Sequence, residues 1–207
     1  MHTEILPASD PAVLRRAVER LRQGELVAFP TDTVYGVGAL VGEAEAISQL
    51  YVAKGRGSEK AIPILLGDPA ELDQVAINVN EMTRRLARRF WPGPLTLVVP
   101  KLPSLPAELS AQPTVGVRMP DHPAALALMR QTGPLAVTSA NLSGAANAVT
   151  AQQVLEQLSG RIPLILDGGR TPGGRPSTVV DCTGLEPRIL RAGPVSLQDI
   201  REALSQG

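Results

Sequence analysis

The feature that most constrains the fold is the alternation of short aliphatic runs with helix-length amphipathic segments. The first helix is predicted after Asp10 and Pro11, which suit a cap and a first turn, and Gly24 ends it. Further helices are predicted over 43–53, 81–90, 123–130, around 154–158 and over 197–204, and strands over 26–29, 62–66, 95–99, 115–118, 135–137, 162–166, 178–180 and 189–190. This alternation predicts an α/β fold. Short connections between the later strands predict a mixed sheet, and without a linker-like segment residues 1–207 are predicted to form a single domain.

The composition argues against a nucleic-acid surface built from aromatic rings or from an overall positive charge. Aromatic residues make up 2% of the chain, whereas proteins that stack bases need several exposed rings. Lysine plus arginine and aspartate plus glutamate number 20 each, so the net charge is zero. A general polyanion binder would carry a basic excess. Any RNA or tRNA contact is therefore expected to be weak and electrostatic.

Several other classes of protein are excluded by simple counts. Cys182 is the only cysteine, which excludes a disulfide framework and a cysteine-rich zinc site and predicts a reducing, cytoplasmic location. No apolar run reaches about 18 residues, so neither a membrane-spanning helix nor a membrane partner is predicted. The N-terminal sequence MHTEILPASD lacks the regions of a signal peptide. A Ser-His-Asp triad would depend on His122, because His2 lies in the tail.

Polar residues gather in four loops at predicted strand ends, where α/β folds place their ligands. The loop over 30–38 contains Gly36 and Gly38, which match half of a dinucleotide-binding fingerprint. Position 41 is Val41 rather than the third glycine, so we reject Rossmann-type binding. The alternative for this polar loop is an ordinary strand-to-helix turn.

The second loop carries Lys54, Arg56 and Lys60 among glycines. Three cations on a flexible segment suit a polyphosphate, because backbone amides and side chains can converge on it. The alternative is a solvated, charged loop.

The third and fourth loops are rich in hydroxyls and glycines. The segment over 138–144 offers hydroxyls and a carboxamide for phosphate or sugar, or alternatively for helix capping and turns. The segment over 167–178 resembles a phosphate-binding loop only superficially, because Arg175 and Pro176 replace the required Lys and Ser/Thr. It is predicted to be either a mobile flap that contacts an anion or a plain surface loop.

Two groups of arginines complete the candidate binding residues. Arg118 and Arg191 end predicted strands, where a guanidinium can clamp a carboxylate or phosphate or form a structural ion pair. Four further arginines share one face of the helix over 81–90: Arg84, Arg85, Arg88 and Arg89. That face is either a phosphate-binding patch for RNA or a solvated helix surface.

Taken together, the motifs resemble those of the threonylcarbamoyl-AMP synthase family (the YrdC/TsaC group). The similarity covers about Gly24 to Gly193 and rests on seven short motifs in the family's order. These are Pro30-Thr31-Asp32-Thr33-Val34-Tyr35-Gly36-Val37-Gly38, Lys54-Gly55-Arg56, Trp91-Pro92-Gly93-Pro94-Leu95-Thr96, Val117-Arg118-Met119-Pro120, Thr138-Ser139-Ala140-Asn141-Leu142-Ser143-Gly144, Ser177-Thr178-Val179-Val180-Asp181 and Leu190-Arg191-Ala192-Gly193. The resemblance implies one twisted α/β domain, with flanking helices and a concave basic cavity. Because the sequence ends at Gly207, the additional C-terminal domain of longer family members is not expected.

The resemblance also implies a reaction. L-Threonine, bicarbonate and ATP would give L-threonylcarbamoyladenylate and pyrophosphate, and the product would serve t6A modification of adenosine 37 in tRNA through a downstream threonylcarbamoyl-transferase. Mg²⁺ is expected with the ATP. No covalent nucleophile is expected, because positioning and charge stabilisation can support nucleotidyl transfer.

The family's residue roles carry over onto matching positions. The resemblance implies that threonine is bound by Thr33, Arg118, Thr138 and Ser177. It implies that ATP is bound by Arg56, Lys60, Thr114, Ser139, Ala140, Asn141, Ala148 and Arg191. Lys54 and Arg56 are expected to stabilise charge in the reaction. Arg56→Ala and Arg118→Ala are both expected to lose activity and retain the fold.

This sequence departs from the family pattern at two places. Gly57 stands where a proline is usual, and the strand over 62–66 lacks a threonine-contacting histidine found in some long members. Two other functions remain open. One is a related domain that forms a carbamoyl-adenylate from carbamoyl phosphate, and the other is a non-catalytic RNA-binding module.

Overall fold

The computed structural model describes residues 2–205. Ten strands form one sheet: β1 (Glu4–Pro7), β2 (Val27–Phe29), β3 (Gly36–Leu40), β4 (Ile64–Leu65), β5 (Leu95–Pro100), β6 (Thr114–Arg118), β7 (Leu135–Ser139), β8 (Leu164–Asp167), β9 (Thr178–Asp181) and β10 (Arg188–Arg191). The α-helices are α1 (Pro11–Arg22), α2 (Ala44–Lys54), α3 (Leu72–Val75), α4 (Glu81–Phe90), α5 (Pro123–Thr132), α6 (Ala151–Leu158) and α7 (Leu197–Ser205). Short 3-10 turns cover Pro69–Glu71 and Ala107–Leu109.

The sheet is mixed, as the sequence predicts. Its strand order is β1-β8-β2-β3-β7-β4-β6-β5-β9-β10. β8 runs parallel to both β1 and β2, β4 runs parallel to β6, and β5 runs parallel to β9, whereas the other neighbours are antiparallel. The order brings strands that are far apart in the sequence side by side at the centre of the sheet.

Two strands differ from the sequence prediction. Residues 36–38, predicted as part of a loop, belong to β3, which forms an antiparallel hairpin with β2. A Cβ atom at Gly36 would lie 2.7 Å from Val137 Cγ1, so the glycine allows a close approach between β3 and β7. β1 was not predicted, and it forms by parallel pairing with β8, whose residues are about 160 positions away.

Helices pack on both faces of the sheet. On one face, α1 and α5 bury Val18 and Leu128 against a smaller cluster that includes Phe29 of β2. The opposite face carries the larger core, against which α2, α3, α4, α6 and α7 pack. The single cysteine, Cys182, is part of that core, and burial raises the pKa of its thiol to about 12.

The helix layer formed by α1 and α5 leaves part of its face of the sheet uncovered. Side chains alternate between the faces of a strand, so in β6 Val115 and Val117 enter the large core while Gly116 and Arg118 face the other way. By the same alternation, β4, β5 and β9 present every second side chain on the same face of the sheet as Gly116 and Arg118. Because α1 and α5 pack beside the β1-β8-β2-β3-β7 half, the β4-β6-β5-β9 half is the floor of a concavity.

The helix boundaries follow recognisable caps. Asp10, Asn80 and Thr150 accept hydrogen bonds from backbone N–H groups of the first turns of α1, α4 and α6, which satisfies donors that have no partner within a helix. Within residues 2–205, no helix combines the length and the apolar character that crossing a bilayer requires.

Candidate active site

The concavity encloses a cavity of about 300 Å³, within the size range of small-molecule sites. Its polar side chains come from strand ends and loops that are widely separated in the sequence. They are Thr31, Thr33, Arg56, Thr96, Arg118, Thr138, Ser139, Asn147, Ser177 and Arg191. Seven of the predicted site residues are in this set: Thr33, Arg56, Arg118, Thr138, Ser139, Ser177 and Arg191. The sheet therefore brings together all four predicted threonine residues and three of the eight predicted nucleotide residues.

Arg118 lies at the end of β6 and is almost fully buried. Its Nε donates to the Gly93 carbonyl at 2.9 Å and its Nη1 donates to Thr33 Oγ1 at 3.0 Å. Its Nη2 forms a salt bridge with Asp32. Burial lowers the pKa of Arg118, while Asp32 opposes that effect. The structural ion pair considered from the sequence is thus present, and the same guanidinium lines the cavity.

Arg56 follows the left-handed Gly55 that ends α2. Its Nη1 donates to Thr138 Oγ1 at 3.0 Å and its Nη2 donates to the Ala61 carbonyl at 3.0 Å. Its Nε is buried and has no hydrogen-bond partner among residues 2–205. A buried N–H without a partner is costly, so this group is an unsatisfied donor next to the cavity.

Arg191 lies at the end of β10, next to the start of β9. Its guanidinium donates to the Ser177 carbonyl at 3.0 and 3.1 Å and to Ser177 Oγ at 3.2 Å. Ser177 Oγ also pairs with Thr96 Oγ1 at 2.7 Å. Arg191, Ser177 and Thr96 therefore form one hydrogen-bonded wall of the cavity.

The electrostatics of the cavity favour an anion. No acidic side chain is among the described residues that line it, and within residues 2–205 neither Arg56 nor Arg191 forms a salt bridge with a carboxylate. Burial lowers the pKa of both guanidinium groups, and the charge of Arg56 lowers that of Arg191 further. Because an anion relieves both desolvation and mutual repulsion, the arrangement suits phosphate or carboxylate groups.

Lys54 lies beneath the cavity and is not among its lining residues. It is buried, and its ammonium donates to the main-chain carbonyls of Ser139 and Asn141. Burial, reinforced by the charge of Arg56, lowers the pKa of Lys54 to about 8. Its expected place beside the phosphates of a bound nucleotide stays a prediction. Here it connects the end of α2 to the polar segment that follows β7.

The remaining predicted nucleotide residues lie around the cavity rather than on its lining. Lys60 is exposed in the loop after α2. Thr114 is on the same face of β6 as Gly116 but one step farther from Arg118. Ala140, Asn141 and Ala148 are buried. Ala148 presents its carbonyl to the Tyr35 N–H at 2.9 Å, which is a structural contact. Whether these five positions contact a nucleotide stays a prediction.

The loop over 168–176 packs beside the cavity and contributes Pro176 to its lining. The Tyr35 hydroxyl donates to the Gly169 carbonyl at 2.7 Å, and the Gly174 N–H donates to the Thr33 carbonyl at 2.9 Å. These contacts join the loop to the polar segment between β2 and β3. The loop is therefore packed on the site, and its mobility stays a prediction.

Sequence reasoning did not single out several lining residues, notably Thr31, Thr96, Gly116 and Asn147. A usable signal existed for Gly116, because it lies two positions before Arg118 on the same predicted strand. A Cβ atom there would lie 3.0 Å from Thr96 Cγ2, so glycine keeps the cavity floor open.

The arginines of α4 form a different environment. Arg84 forms a salt bridge with Asp73 at 2.8 Å, and Glu81 pairs with Arg85 at 3.4 Å and Arg88 at 2.7 Å. The Arg89 guanidinium stacks 5.3 Å from the centre of the Phe90 ring. Much of this positive charge is therefore balanced locally, which agrees with a solvated helix face.

Comparison with known proteins agrees with the fold. The Sua5/YciO/YrdC family, described as "Telomere recombination", matches residues 19–193. A Mycobacterium tuberculosis protein is 42% identical over 207 residues, which cover 98% of this chain and 95% of that protein. The threonylcarbamoyl-AMP synthase of Bacillus subtilis is 41% identical over 98% of this chain and 59% of its own length.

Among solved structures, Pyrococcus abyssi Sua5 in complex with L-threonine superposes with a TM-score of 0.95 and is 39% identical. The alignment covers 99% of this chain and 62% of the Pyrococcus chain. This chain therefore spans about three fifths of the length of the Bacillus and Pyrococcus relatives. The identity, the shared fold and the ordered motifs agree with the resemblance seen in the sequence, and we conclude that this chain belongs to the Sua5/YciO/YrdC family.

Proposed function

We propose that this chain is an L-threonylcarbamoyladenylate synthase, which makes L-threonylcarbamoyladenylate and pyrophosphate from L-threonine, bicarbonate and ATP. The observation that carries the proposal is a cavity lined by three arginines and several hydroxyls without an acidic side chain among its described residues. Relatives that carry the name threonylcarbamoyl-AMP synthase support it, as does a relative solved with L-threonine.

The proposed chemistry needs positioning and charge stabilisation rather than a protein nucleophile. The threonine amine and bicarbonate would form a carbamate with loss of water. A carbamate oxygen would then attack the α-phosphorus of ATP, and the bond to pyrophosphate would break. Negative charge develops on phosphate oxygens throughout, so fixed cations in a partly buried site stabilise the transition state strongly.

Different side chains of the cavity would bind the amino acid and the nucleotide. Arg118, with Thr33 beside it, would bind the amino acid, whose carboxylate matches the fork of a guanidinium. Arg56 and Arg191 would bind the phosphates, because both line the same cavity and neither has a carboxylate partner among residues 2–205.

Lys54 would stabilise the segment after β7, which forms part of the site, rather than contact the substrates directly. Its ammonium holds the carbonyls of Ser139 and Asn141, so it fixes the segment that presents hydroxyls to the cavity. Its predicted role in charge stabilisation would then be exerted through that segment and through its own field. The two positions assigned to catalysis, Lys54 and Arg56, would thus act at different distances from the reacting atoms.

The metal and the downstream steps follow from the proposed reaction. Mg²⁺ would enter with the triphosphate and neutralise phosphate charge. The product would pass to a tRNA threonylcarbamoyl-transferase for t6A formation at adenosine 37. A cytoplasmic location remains our prediction.

Two other functions make different predictions. A domain that uses carbamoyl phosphate would form its carbamoyl-adenylate without L-threonine. An RNA-binding module would need free cations on α4, whereas Arg84 and Arg88 have carboxylate partners. The cavity would also be unnecessary for such a module.

The test is pyrophosphate release from ATP and Mg²⁺, measured with bicarbonate or carbamoyl phosphate and with or without L-threonine. We expect release only when both bicarbonate and L-threonine are present, with L-threonylcarbamoyladenylate identified by mass spectrometry. Release that depends on carbamoyl phosphate and not on threonine would establish the runner-up chemistry. Folded protein with no release under any condition would refute both enzymatic functions.

A further inference from the structure

The glycine-rich loop over 168–176 lies directly against the main chain of Asp32 and Thr33. A Cβ atom at Gly173 would lie 2.6 Å from the Asp32 carbonyl oxygen and 3.0 Å from Thr33 Cα. Both contacts are with main-chain atoms, which cannot turn aside as the end of a flexible side chain can. Gly173 is not among the glycines with a positive φ. The close approach, and not an unusual backbone conformation, therefore requires glycine at this position.

Two hydrogen bonds hold the loop in this place. The Gly174 N–H donates to the Thr33 carbonyl at 2.9 Å, directly beside the close approach. Near the other end of the loop, the Tyr35 hydroxyl donates to the Gly169 carbonyl at 2.7 Å. Both ends of the loop are thus bonded to the polar segment over 31–35, and at three of the four groups the bonding atoms belong to the main chain.

The segment that the loop contacts in turn holds Arg118. Thr33 Oγ1 accepts from Arg118 Nη1 at 3.0 Å, and the Asp32 carboxylate forms a salt bridge with Arg118 Nη2. Arg118 and Thr33 line the cavity, whereas Asp32 is not among the described lining residues. A shift of the main chain over 32–33 would therefore move two partners of the guanidinium proposed for the substrate carboxylate.

The loop has little part in the hydrophobic cores or in the cavity wall. Apart from the buried Thr171, the residues over 168–175 are exposed, and none of these described residues belongs to either hydrophobic cluster. Within the loop, Pro176 is the described residue that lines the cavity. The tight packing of Gly173 on the segment over 32–33 thus serves neither core packing nor direct contact with a ligand.

We propose that this loop is a backbone clamp and that Gly173 is a positioning residue, which keeps the segment over 32–33 where it holds Arg118 for the carboxylate of the amino-acid substrate. This inference rests on the proposed function and deepens it. It assigns the glycine-rich loop to the amino-acid side of the site rather than to a phosphate-binding flap.

The nucleotide side should be insensitive to the clamp. The proposed phosphate ligands are Arg56 and Arg191, and their described hydrogen bonds reach neither Asp32 nor Thr33. A disturbed clamp should therefore weaken the binding of L-threonine and leave the binding of the nucleotide unchanged. A general loss of structure would weaken both.

The test compares Gly173→Ala with Gly42→Ala by calorimetric titration with L-threonine and with α,β-methylene-ATP and Mg²⁺. Gly42 is a matched control, because its φ is not positive and a Cβ atom there would meet nothing within 4 Å beyond its chain neighbours. In Gly173→Ala either the Thr33 main chain shifts or the loop moves away from it, and both weaken the support of Arg118. We expect the Kd for L-threonine to rise about tenfold, the effect of losing one hydrogen bond to a charged group, and the Kd for the analogue to stay within about twofold. Gly42→Ala should match the parent in both.

A second variant, Tyr35→Phe, keeps the test decisive if Gly173→Ala does not fold. It removes the hydroxyl that holds the Gly169 carbonyl and keeps the ring, and melting temperatures report the fold of each variant. We expect the Kd for L-threonine to rise about threefold, the effect of losing one neutral hydrogen bond. Unchanged threonine affinity in folded Gly173→Ala, or equal losses for both ligands, would overturn the inference. If that variant is unfolded, the same results in Tyr35→Phe would overturn it.

Pyrophosphate release separates the clamp from the proposed reaction. A selective loss of threonine affinity in Gly173→Ala, when the parent releases no pyrophosphate, would refute the function and retain the inference. An unchanged threonine affinity in an active Gly173→Ala enzyme would do the reverse. A folded parent protein that binds no L-threonine would refute both.

Discussion

Two groups of arginines in this molecule, those on α4 and those in the cavity, have different surroundings. On α4, Arg84 and Arg88 extend over the surface and pair with Asp73 and Glu81. In the cavity, Arg56 and Arg191 donate to hydroxyl and carbonyl oxygens, and within residues 2–205 neither has a carboxylate partner. Solvent and local acids neutralise the first group, whereas the second retains charge that a ligand can neutralise. The difference shows that partnership, rather than the count of cations, marks a binding site.

The largest expected effect comes from removing an unbalanced cavity cation. Arg56→Ala is expected to lower kcat/KM for threonine-dependent pyrophosphate release by about 100-fold, the cost of losing one fixed donor to developing charge. The free energy of unfolding should change by less than about 1 kcal/mol, because a cation repelled by Arg191 is lost together with its hydrogen bonds. Steady-state kinetics and urea denaturation measure the two quantities. Arg88→Ala is the matched control, and equal kinetic losses in both variants would contradict the distinction.

Arg118 tests whether a cavity arginine can be structural as well. Its salt bridge with Asp32 is buried, and removal of one partner of such a pair costs about 3 kcal/mol or more. The sequence-based expectation that Arg118→Ala retains the fold is therefore revised, and we expect loss of activity together with a clear fall in stability by urea denaturation. Adding Asp32→Ala to Arg118→Ala should recover part of the stability but no activity. An unaltered melting temperature in Arg118→Ala would contradict this account.

The buried Lys54 should make the free energy of unfolding depend on pH. Its pKa is about 8 in the folded protein, below the value of about 10.5 in an unfolded chain. Between these values the unfolded state binds more protons, so this group makes the free energy of unfolding rise as pH increases from 8 to 10.5. We expect the stability difference between the parent and Lys54→Met to grow over this window by up to about 3 kcal/mol. Urea denaturation at several pH values measures it, and a difference that is constant with pH would rule out a depressed lysine pKa.

The smallest effect is expected on α4. The double variant Arg84→Gln, Arg88→Gln should leave the free energy of unfolding close to that of the parent, because exposed salt bridges contribute little. Turnover with L-threonine should equal that of the parent. Retention on immobilised tRNA, measured in parallel, reports any RNA binding by this face. A large loss of turnover would show that α4 serves the reaction and would remove the contrast with the cavity.

The sequence predicts most of the fold because local signals agree with the tertiary structure. α4 was predicted over 81–90 and observed as Glu81–Phe90, since Asn80 caps it and its periodicity is strong. β3 was mistaken for a loop because Gly36 and Gly38 lower its strand propensity. Those glycines are required by contacts with Val137 and Phe29, which only the assembled sheet reveals.

The candidate site was predictable to a similar degree. Ordered motifs placed Thr33, Arg56, Arg118 and Ser177 together, as the cavity does. Motifs report which residues a site uses but not the direction in which each side chain points. From its motif, Lys54 is predicted to lie beside the phosphates. In the structure its ammonium donates to the main-chain carbonyls of Ser139 and Asn141.

The strand order of the sheet has a consequence for biosynthesis. The cavity needs residues from Thr31 at one end of the sequence to Arg191 at the other, and they meet only when distant strands have paired. Contacts between residues so far apart in the chain form late, because long loops have to close first. A nascent chain on the ribosome therefore has no complete ligand site until β10 has emerged. Ligand binding can stabilise only the finished fold, and a fragment that ends before β9 would lack Val179 and Arg191 of the cavity lining.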